Sequence, residues 1–201
     1  DLYFAQRVYE LARKNYEEAL SLNENLIEAR IKLAKSYYWL ANAEVVDSTL
    51  ANELFSQSLK EWNKISKEAP NNAEAFFQQG KILFFASRFK LAAQSLNRYV
   101  QLRPSGKLGR WFLAQSFYEI GLCDSAKPHL ELVAEQIDSV RLKSRLLLAR
   151  CYFSTKEYQN SMELYDKLYD TSRDSLDFKD YKRYGGAAFL TGDTAKSIKI
   201  Y

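Results

Sequence analysis

Side chains that could perform acid–base, nucleophilic or metal chemistry are few in this sequence. His129 is the single histidine among 201 residues, and it follows Pro128 in an amphipathic segment. A zinc site needs several His or Cys ligands close together. A Ser-His-Asp site would have to use His129, and the chain has no G-x-S-x-G nucleophile elbow. We therefore interpret His129 as a structural residue and predict no catalytic residue, no metal site, no cofactor and no enzymatic activity.

The segment 186–196 has a superficial likeness to a phosphate-binding loop. Three other residues separate Gly192 from Lys196, so the Gly-Lys-Ser/Thr that such a loop requires is absent. A turn between two helices explains the same residues without any bound phosphate.

Cys123 and Cys151 are too few for the disulfide framework of a small secreted domain. Each occupies a place where an apolar residue would serve, and free cysteines are commonly buried as small hydrophobic side chains. We expect both to be buried in this way. A bridge between them stays open, because it depends on a distance that the sequence does not give.

The composition is that of a soluble globular protein, with 47% hydrophobic and 27% charged residues. Only 7 Gly and 3 Pro are present, which favours helices joined by short turns. The apolar run at 82–86 is far shorter than the roughly 20 residues that span a bilayer. We predict no membrane insertion and leave open whether the protein belongs to the cytoplasm or the periplasm.

Charge is unevenly distributed along the chain. Residues 1–70 have a net charge of −2 and residues 71–201 a net charge of +6, which together give +4. A partner with acidic character would therefore favour the second part.

Apolar residues follow helical i, i+3, i+4 and i+7 spacing throughout, and no stretch alternates like a strand. The sequence therefore predicts an all-α protein. We expect about eleven helices, near residues 2–22, 26–45, 48–68, 73–86, 89–102, 107–120, 124–136, 140–154, 158–170, 176–190 and 194–201.

A frame of about 34 residues recurs, starting at Ala73, Lys107, Leu142 and Phe178. Such self-similarity is typical of a solenoid of stacked units. Small residues recur at the eighth and twentieth places, where two antiparallel helices must approach closely. The pairs expected to face each other are Gly80 with Ala92, Ala114 with Ala126, and Ala149 with Ser161. Gly121 and Gly192 stand at the fifteenth place, in the expected turn inside each pair.

The residues at these places match the pattern W-x2-L-G-x2-Y, then A-x3-F, then P. In 73–106 the matching residues are Phe76, Gly80, Leu83, Ala92, Leu96 and Pro104. The pattern resembles the tetratricopeptide repeat. The resemblance implies a right-handed superhelical solenoid of antiparallel helix pairs. We expect one domain over 1–201, made of a fragmentary unit 1–26, an elongated pair 27–72 that turns near Val46-Asp47-Ser48, repeats 73–106, 107–141 and 142–177, and a truncated repeat 178–201.

In such repeats the first helices line a concave groove, and the resemblance assigns certain places of the frame to it. The twelfth place is aromatic in all five pairs, and the ninth is a cation in three. Aromatic anchors beside cations suit the binding of a peptide. The candidate groove residues are Tyr38, Phe77, Lys81, Phe84, Trp111, Tyr118, Arg150 and Phe153. At the fifth place, Phe77 and Trp111 are expected to be exposed. An alternative is that the twelfth-place aromatics only pack between first helices and that the lysines are solvated.

We therefore predict a non-enzymatic scaffold that binds a protein or peptide partner with apolar and acidic residues. A carboxylate clamp of paired Lys and Asn is not assigned, because no inward place is Asn. One alternative is architectural self-association through the last helix, where Ile198, Ile200 and Tyr201 leave an uncapped apolar edge. Single-stranded RNA binding is the weaker alternative, since acidic residues are interspersed among the basic ones.

Overall fold

The computed structural model describes residues 2–44 and 47–200. Within these two stretches the regular structure is helical and contains no strand, which confirms the all-α prediction. None of the described helices is both long and apolar enough to cross a membrane. The helices are α1 (Leu2–Ala5), α2 (Tyr9–Leu22), α3 (Ile27–Ala43), α4 (Ser48–Glu68), α5 (Ala73–Phe85), α6 (Phe89–Leu102), α7 (Lys107–Glu119), α8 (Cys123–Gln136), α9 (Asp138–Ser154), α10 (Tyr158–Ser172), α11 (Phe178–Leu190) and α12 (Thr194–Ile200), with a 3-10 turn at Arg173–Ser175.

The chain forms two compact units, Asp1–Arg103 and Pro104–Tyr201. In the first unit, α3 pairs with α4 and α5 with α6. In the second, α7 pairs with α8, α9 with α10, and α11 with α12. Each pair buries the apolar stripe of one helix against the next, as amphipathic helices must.

One turn geometry is shared by five helix connections. Arg7, Ser87, Gly121, Lys156 and Gly192 all have positive φ, between 56° and 91°. Each donates its N–H to the carbonyl three residues earlier, and the next residue donates to the carbonyl five residues before itself. This pair of bonds closes the helix C-terminus as in a Schellman motif. The turns predicted at Gly121 and Gly192 are thus confirmed, and three residues other than glycine adopt the same conformation.

The prediction of one helix over 2–22 is wrong, because the positive φ of Arg7 separates α1 from α2. The elongated pair is present as α3 and α4. Asp47 caps α4, since its side chain accepts hydrogen bonds from the N–H groups of Thr49 and Leu50. Val46, the first residue of the predicted turn, lies outside the described residues, as does Tyr201 at the end of the last predicted helix.

Small residues mark the helix crossings as expected. Ser161 Oγ donates to the carbonyl of Ala149 at 2.9 Å, and Ser58 Oγ donates to that of Ala34 at 2.8 Å in the elongated pair. A hydroxyl that bonds the facing backbone requires the two helices to be close. At Gly80 the nearest facing side chain is that of Leu96, one turn beyond Ala92.

The bridge between the two cysteines that the sequence left open is present. Cys123 at the start of α8 and Cys151 in α9 form a disulfide with a Cα–Cα distance of 5.1 Å. Both residues are buried in the same cluster as Leu130 and Leu147, so the prediction of burial is confirmed. The bond joins the second helix of repeat 107–141 to the first helix of repeat 142–177.

Candidate functional site

In the first unit the structure brings together two of the predicted groove residues. Lys81 on α5 places its Nζ 4.2 Å from the ring centroid of Tyr38 on α3. The Tyr38 ring also meets the rings of Trp39 and Phe55 edge-on, each at 5.6 Å. A cation over a tyrosine face is attracted by the ring quadrupole, so neighbouring helices hold these two side chains in one arrangement.

These side chains border a cleft of about 270 Å³, hereafter the α3–α5 cleft. Its wall includes Trp39, which stays 46% exposed although it stacks on Tyr9. Lys35, the ninth-place cation of α3, forms an ion pair with Glu74 at 2.7 Å. The cleft is lined by Phe4, Lys35, Tyr38, Trp39, Trp62, Gln78 and Lys81.

The two other predicted groove residues of this unit pack within their own helix pair. The ring of Phe77 lies 5.1 Å from that of Tyr99 on α6. Phe84 meets Phe89 at the start of α6 and its neighbour Phe85 edge-on. Phe77 is half-buried by these contacts, so it is less open than the fifth place predicted.

In the second unit, Trp111 does not have the exposed position expected of it. It is 6% exposed and belongs to the core cluster that includes Leu147 and the disulfide. The reason is that the first helix of the next repeat, α9, packs over the fifth place of α7. Lys143 of α9 lies above the indole with its Nζ 5.8 Å from the ring centroid, and Lys143 itself is exposed.

The twelfth-place aromatics of this unit follow the packing alternative in part. Tyr118 and Phe153 are half-buried and lie against the core clusters, and Phe153 meets Tyr158 edge-on. The fifth aromatic of the series, Phe189, is exposed.

Arg150 is held by carboxylates of this chain. Its Nε donates to Asp180 Oδ1 at 2.7 Å and its Nη2 to Asp180 Oδ2 at 2.6 Å. Nη2 also donates to Asp177 at 3.1 Å. Tyr165 completes the network by donating its hydroxyl to Asp180 Oδ1 at 3.0 Å. The guanidinium therefore serves as the partner of a buried carboxylate, and it has little freedom to bind another acid.

The pKa values in this network follow from its geometry. The hydrogen bonds from Arg150 to Asp180 raise the pKa of Arg150 above its usual value. Burial alone would raise the pKa of Asp180, but the hydrogen bonds from Arg150 and the Asp177 backbone outweigh it and lower that pKa. Burial, reinforced by the Asp180 charge, raises the pKa of Tyr165. Asp180 is therefore ionised and Tyr165 protonated at neutral pH.

A family model for the tetratricopeptide repeat matches residues 46–107 and 113–175, more than half of the sequence. The chain belongs to the tetratricopeptide repeat family. Its helix pairs and the small residues at their crossings are the structural counterpart of that match.

Solved structures with tetratricopeptide repeats share the fold. The crystal structure of YrrB, a TPR protein with an unusual peptide-binding site, has a TM-score of 0.70 and 12% identity, covering 92% of this chain and 88% of YrrB. The crystal structure of MamA has a TM-score of 0.61 and 20% identity, covering 78% and 90%. PilF from Pseudomonas aeruginosa has a TM-score of 0.56 and 17% identity, covering 98% and 83%. A comparison with curated proteins found no match.

The one histidine of this tetratricopeptide repeat protein is part of its packing. His129 is half-buried, stacks on Phe117 at 6.0 Å and has its Nδ1 3.1 Å from Arg110 Nη1. Burial and the charge of Arg110 lower its pKa. Over the described ranges 2–44 and 47–200, no group of three His, Cys, Asp or Glu side chains is arranged to hold a metal ion.

The acidic partners of Arg150 were missed by the tetratricopeptide frame, although the sequence contains a signal for them. Asp177 and Asp180 form a capping box at the start of α11, in which each side chain accepts a hydrogen bond from the other's backbone N–H. An acid at the N-cap and another three residues later is a recognisable helix start. That the second acid also faces Arg150 depends on how α9 and α11 pack, which the frame does not specify.

Proposed function

We propose that this chain is a non-enzymatic scaffold that binds a segment of a partner protein carrying apolar and acidic residues. The tetratricopeptide fold supports protein–protein interaction scaffolds in general. The specific proposal is that the α3–α5 cleft of the first unit is the main binding surface, with Tyr38 and Lys81 at its centre.

The arrangement of Trp39 and Lys81 carries this proposal. Trp39 offers a large, half-exposed indole at low conformational cost, which is the usual character of an interface anchor. Lys81 has no carboxylate partner among residues 2–44 and 47–200, since its recorded contact is with the Tyr38 ring. An acidic side chain of a partner would provide the missing counter-charge while an apolar neighbour covers Trp39.

The eight candidate residues contribute differently in this proposal. Phe77 and Phe84, in the first unit, and Tyr118 and Phe153, in the second, are half-buried and do not line the α3–α5 cleft. In the second unit, Trp111 is buried and Arg150 is paired with carboxylates of this chain, so neither is offered to a partner. Lys143, above the Trp111 ring, presents a positive charge in the place where Trp111 was expected. YrrB, which shares the fold, is a precedent for peptide binding by such an array.

The disulfide supports a location for this function. Disulfides persist in oxidising compartments and are rare in the cytosol. We therefore favour the periplasm, or an equivalent oxidising compartment, over the cytoplasm. Alkylation of the protein taken directly from cells should label neither Cys123 nor Cys151; labelling of both without prior reduction would contradict this location.

The binding proposal is tested by charge reversal. The wild-type chain is immobilised and used to capture proteins from cells of its source, and captured proteins are identified by mass. Lys81→Glu should weaken the binding of the captured partner at least about tenfold, since truncating a hot-spot residue costs about 2 kcal/mol or more and tenfold corresponds to about 1.4 kcal/mol. Lys90→Glu is the matched control, because Lys90 is an exposed lysine on α6. Equal capture by both variants would reject the cleft, and capture of RNA alone would reject the protein partner.

Self-association is a second candidate, favoured by exposed apolar side chains in the last pair. Phe178, Phe189, Leu190 and Ile198 are all exposed on α11 and α12, whereas Ile200 packs against the core. Sedimentation velocity over a range of concentrations tests this. A dimer that Ile198→Glu dissociates would support self-association, and a monomer at all concentrations would reject it.

A further inference from the structure

The elongated pair is longer than the pair that follows it in the first unit. Helix α3 has 17 residues and α4 has 21, whereas α5 has 13 and α6 has 14. By the frame, the added residues are 40–43 of α3 and 48–54 of α4. At 1.5 Å per residue they extend the pair by about 6 Å and about 10 Å. These residues are hereafter the overhang, because no part of α5 or α6 corresponds to them.

A cleft opens where the overhang passes the end of α5. It has a volume of about 520 Å³, within the size range of ligand pockets, and is hereafter the overhang pocket. Its floor is apolar, and Phe85 in it remains 66% exposed. The apolar lining also includes Phe55 of α4 and Ile82 of α5.

The polar side chains of this pocket are exposed, and the pocket lining favours a negatively charged ligand. The overhang supplies Asn42 and Asn52, and the exposed Ser56 follows one turn later on α4. Arg88, in the turn between α5 and α6, is the charged residue in this lining set, which contains no carboxylate. Across the described parts of the chain, no ion pair involves the Arg88 side chain.

We propose that the overhang pocket binds an extended peptide segment of a partner in which an apolar side chain is next to a carboxylate. The apolar side chain lies on Phe55, Ile82 and Phe85, and the carboxylate pairs with Arg88. The amide of Asn52 can hydrogen-bond the peptide backbone, which an extended segment leaves unpaired. Asn42 donates to the Tyr38 carbonyl at 2.7 Å, and its Oδ1 can accept from a peptide N–H. An acidic segment fits because Arg88 is a cation without a counter-charge in an otherwise apolar and neutral pocket.

This site is separate from the α3–α5 cleft, although the two adjoin. The two share Tyr38 as a common wall, but the overhang pocket is lined by α4 and the α5–α6 turn, whereas the cleft contains Trp39 and Lys81. Binding at one surface can therefore fail while binding at the other persists.

The test uses two matched peptide sets and the full chain. One set is acetyl-Ser-Gly-X-Asp-Gly-Ser-amide with X as Leu, Ile, Phe or Trp, and the other has Asn in place of Asp. Titrations are followed by the backbone amide signals of residues 82–88. The tightest Asp peptide should bind at least about tenfold more tightly than its Asn counterpart, because a neutral amide cannot form the charge-assisted hydrogen bond that a carboxylate forms with Arg88.

Variants separate the pocket from other surfaces. Arg88→Gln should remove the preference for Asp, and Ser56→Trp, which fills the pocket from an exposed position, should abolish saturable binding by both sets. Lys90→Gln and Lys60→Gln remove exposed lysines outside the pocket lining, and both should bind as the wild type does. The proposal is overturned by the absence of saturable shifts, by equal affinities for the two sets, by an unchanged preference in Arg88→Gln, or by loss of the preference for Asp in Lys60→Gln or Lys90→Gln.

Discussion

Replacing Gly80 with alanine tests the close approach of α5 and α6. A Cβ at Gly80 would lie nearest to Leu96 Cγ, with Cδ2 at 2.8 Å and Cδ1 at 3.2 Å. Carbon atoms at optimal separation are about 3.5–4.0 Å apart, and Leu96 is 0% exposed, so it cannot turn outward. Overpacking of this kind costs about 1–3 kcal/mol. Because the nearest atom is a branch point rather than a flexible end, we expect about 3 kcal/mol.

A double-mutant cycle identifies the cause of that loss. Leu96→Ala alone should cost about 2–5 kcal/mol through the cavity it leaves. In the double variant the clash is gone, and alanine is favoured over glycine in a helix interior by about 0.5–1 kcal/mol. The double variant should therefore be at least about 2 kcal/mol more stable than the sum of the single effects predicts. Urea unfolding followed by circular dichroism measures each value.

Gly121→Ala provides the matched control. Nothing lies within 4 Å of a Cβ built there, but the residue has a φ of +76°. It should lose about 1–2 kcal/mol from backbone strain alone, with no rescue by Leu96→Ala. Additive effects of Gly80→Ala and Leu96→Ala, within about 0.5 kcal/mol, would refute the proposed contact.

Three further changes test other contacts. Asp180→Asn should cost about 1.5–3 kcal/mol at neutral pH, because it removes the fully buried charged acceptor of Arg150 and leaves that guanidinium with Asp177 alone. Because the pKa of Asp180 is lowered in the folded protein, its charge stabilises the fold above the unfolded pKa of about 3.9. The gap from wild type in urea midpoints should therefore close as the pH falls through the folded pKa, and a constant gap would disprove the charge role. Reducing the Cys123–Cys151 bond should lower the free energy of unfolding by about 3–4 kcal/mol, because in the chain-entropy model the bond closes a loop of 28 residues in the unfolded chain. An unchanged melting temperature in reductant, with both thiols confirmed to be free, would contradict this. Ser87→Gly and Lys156→Gly should each stabilise by about 0.5–1 kcal/mol, because both residues are exposed and have positive φ; lower melting temperatures would show that their side chains matter.

The helices and their frame could be predicted because they follow from local rules. Apolar spacing specifies which face of each helix is buried, and the two glycines at the fifteenth place mark the turns. The break at Arg7 was missed because no glycine or proline marks it. The α1–α2 turn has the same left-handed residue as the other turns, and Phe4 of α1 packs against the buried cluster of Ala12, Tyr16 and Leu33.

The remaining features depend on neighbouring repeats. Side chains of α9 cover Trp111 and bury it. The position of a residue within its own repeat does not indicate such a contact with the next repeat. The disulfide depends on a Cα–Cα distance between two repeats. The overhang pocket depends on a difference in helix length, which the sequence indicates only as about ten extra residues. The sequence therefore predicted which positions of each repeat could face the groove, but it did not predict which of their side chains remain exposed.

The ion pair between Arg150 and Asp180 makes the stability of two adjacent repeats interdependent. Arg150 is on α9, whereas its counter-ion Asp180 belongs to the capping box at the start of α11. Each of the two repeats therefore contains one member of the ion pair and depends on the other repeat for its counter-charge. Reordering, duplicating or deleting repeats in the second unit would leave Arg150 or Asp180 without its counter-ion at the new junction. The repeats have similar helices but are not interchangeable in order. Anyone extending the array would have to transfer Arg150 and Asp180 together.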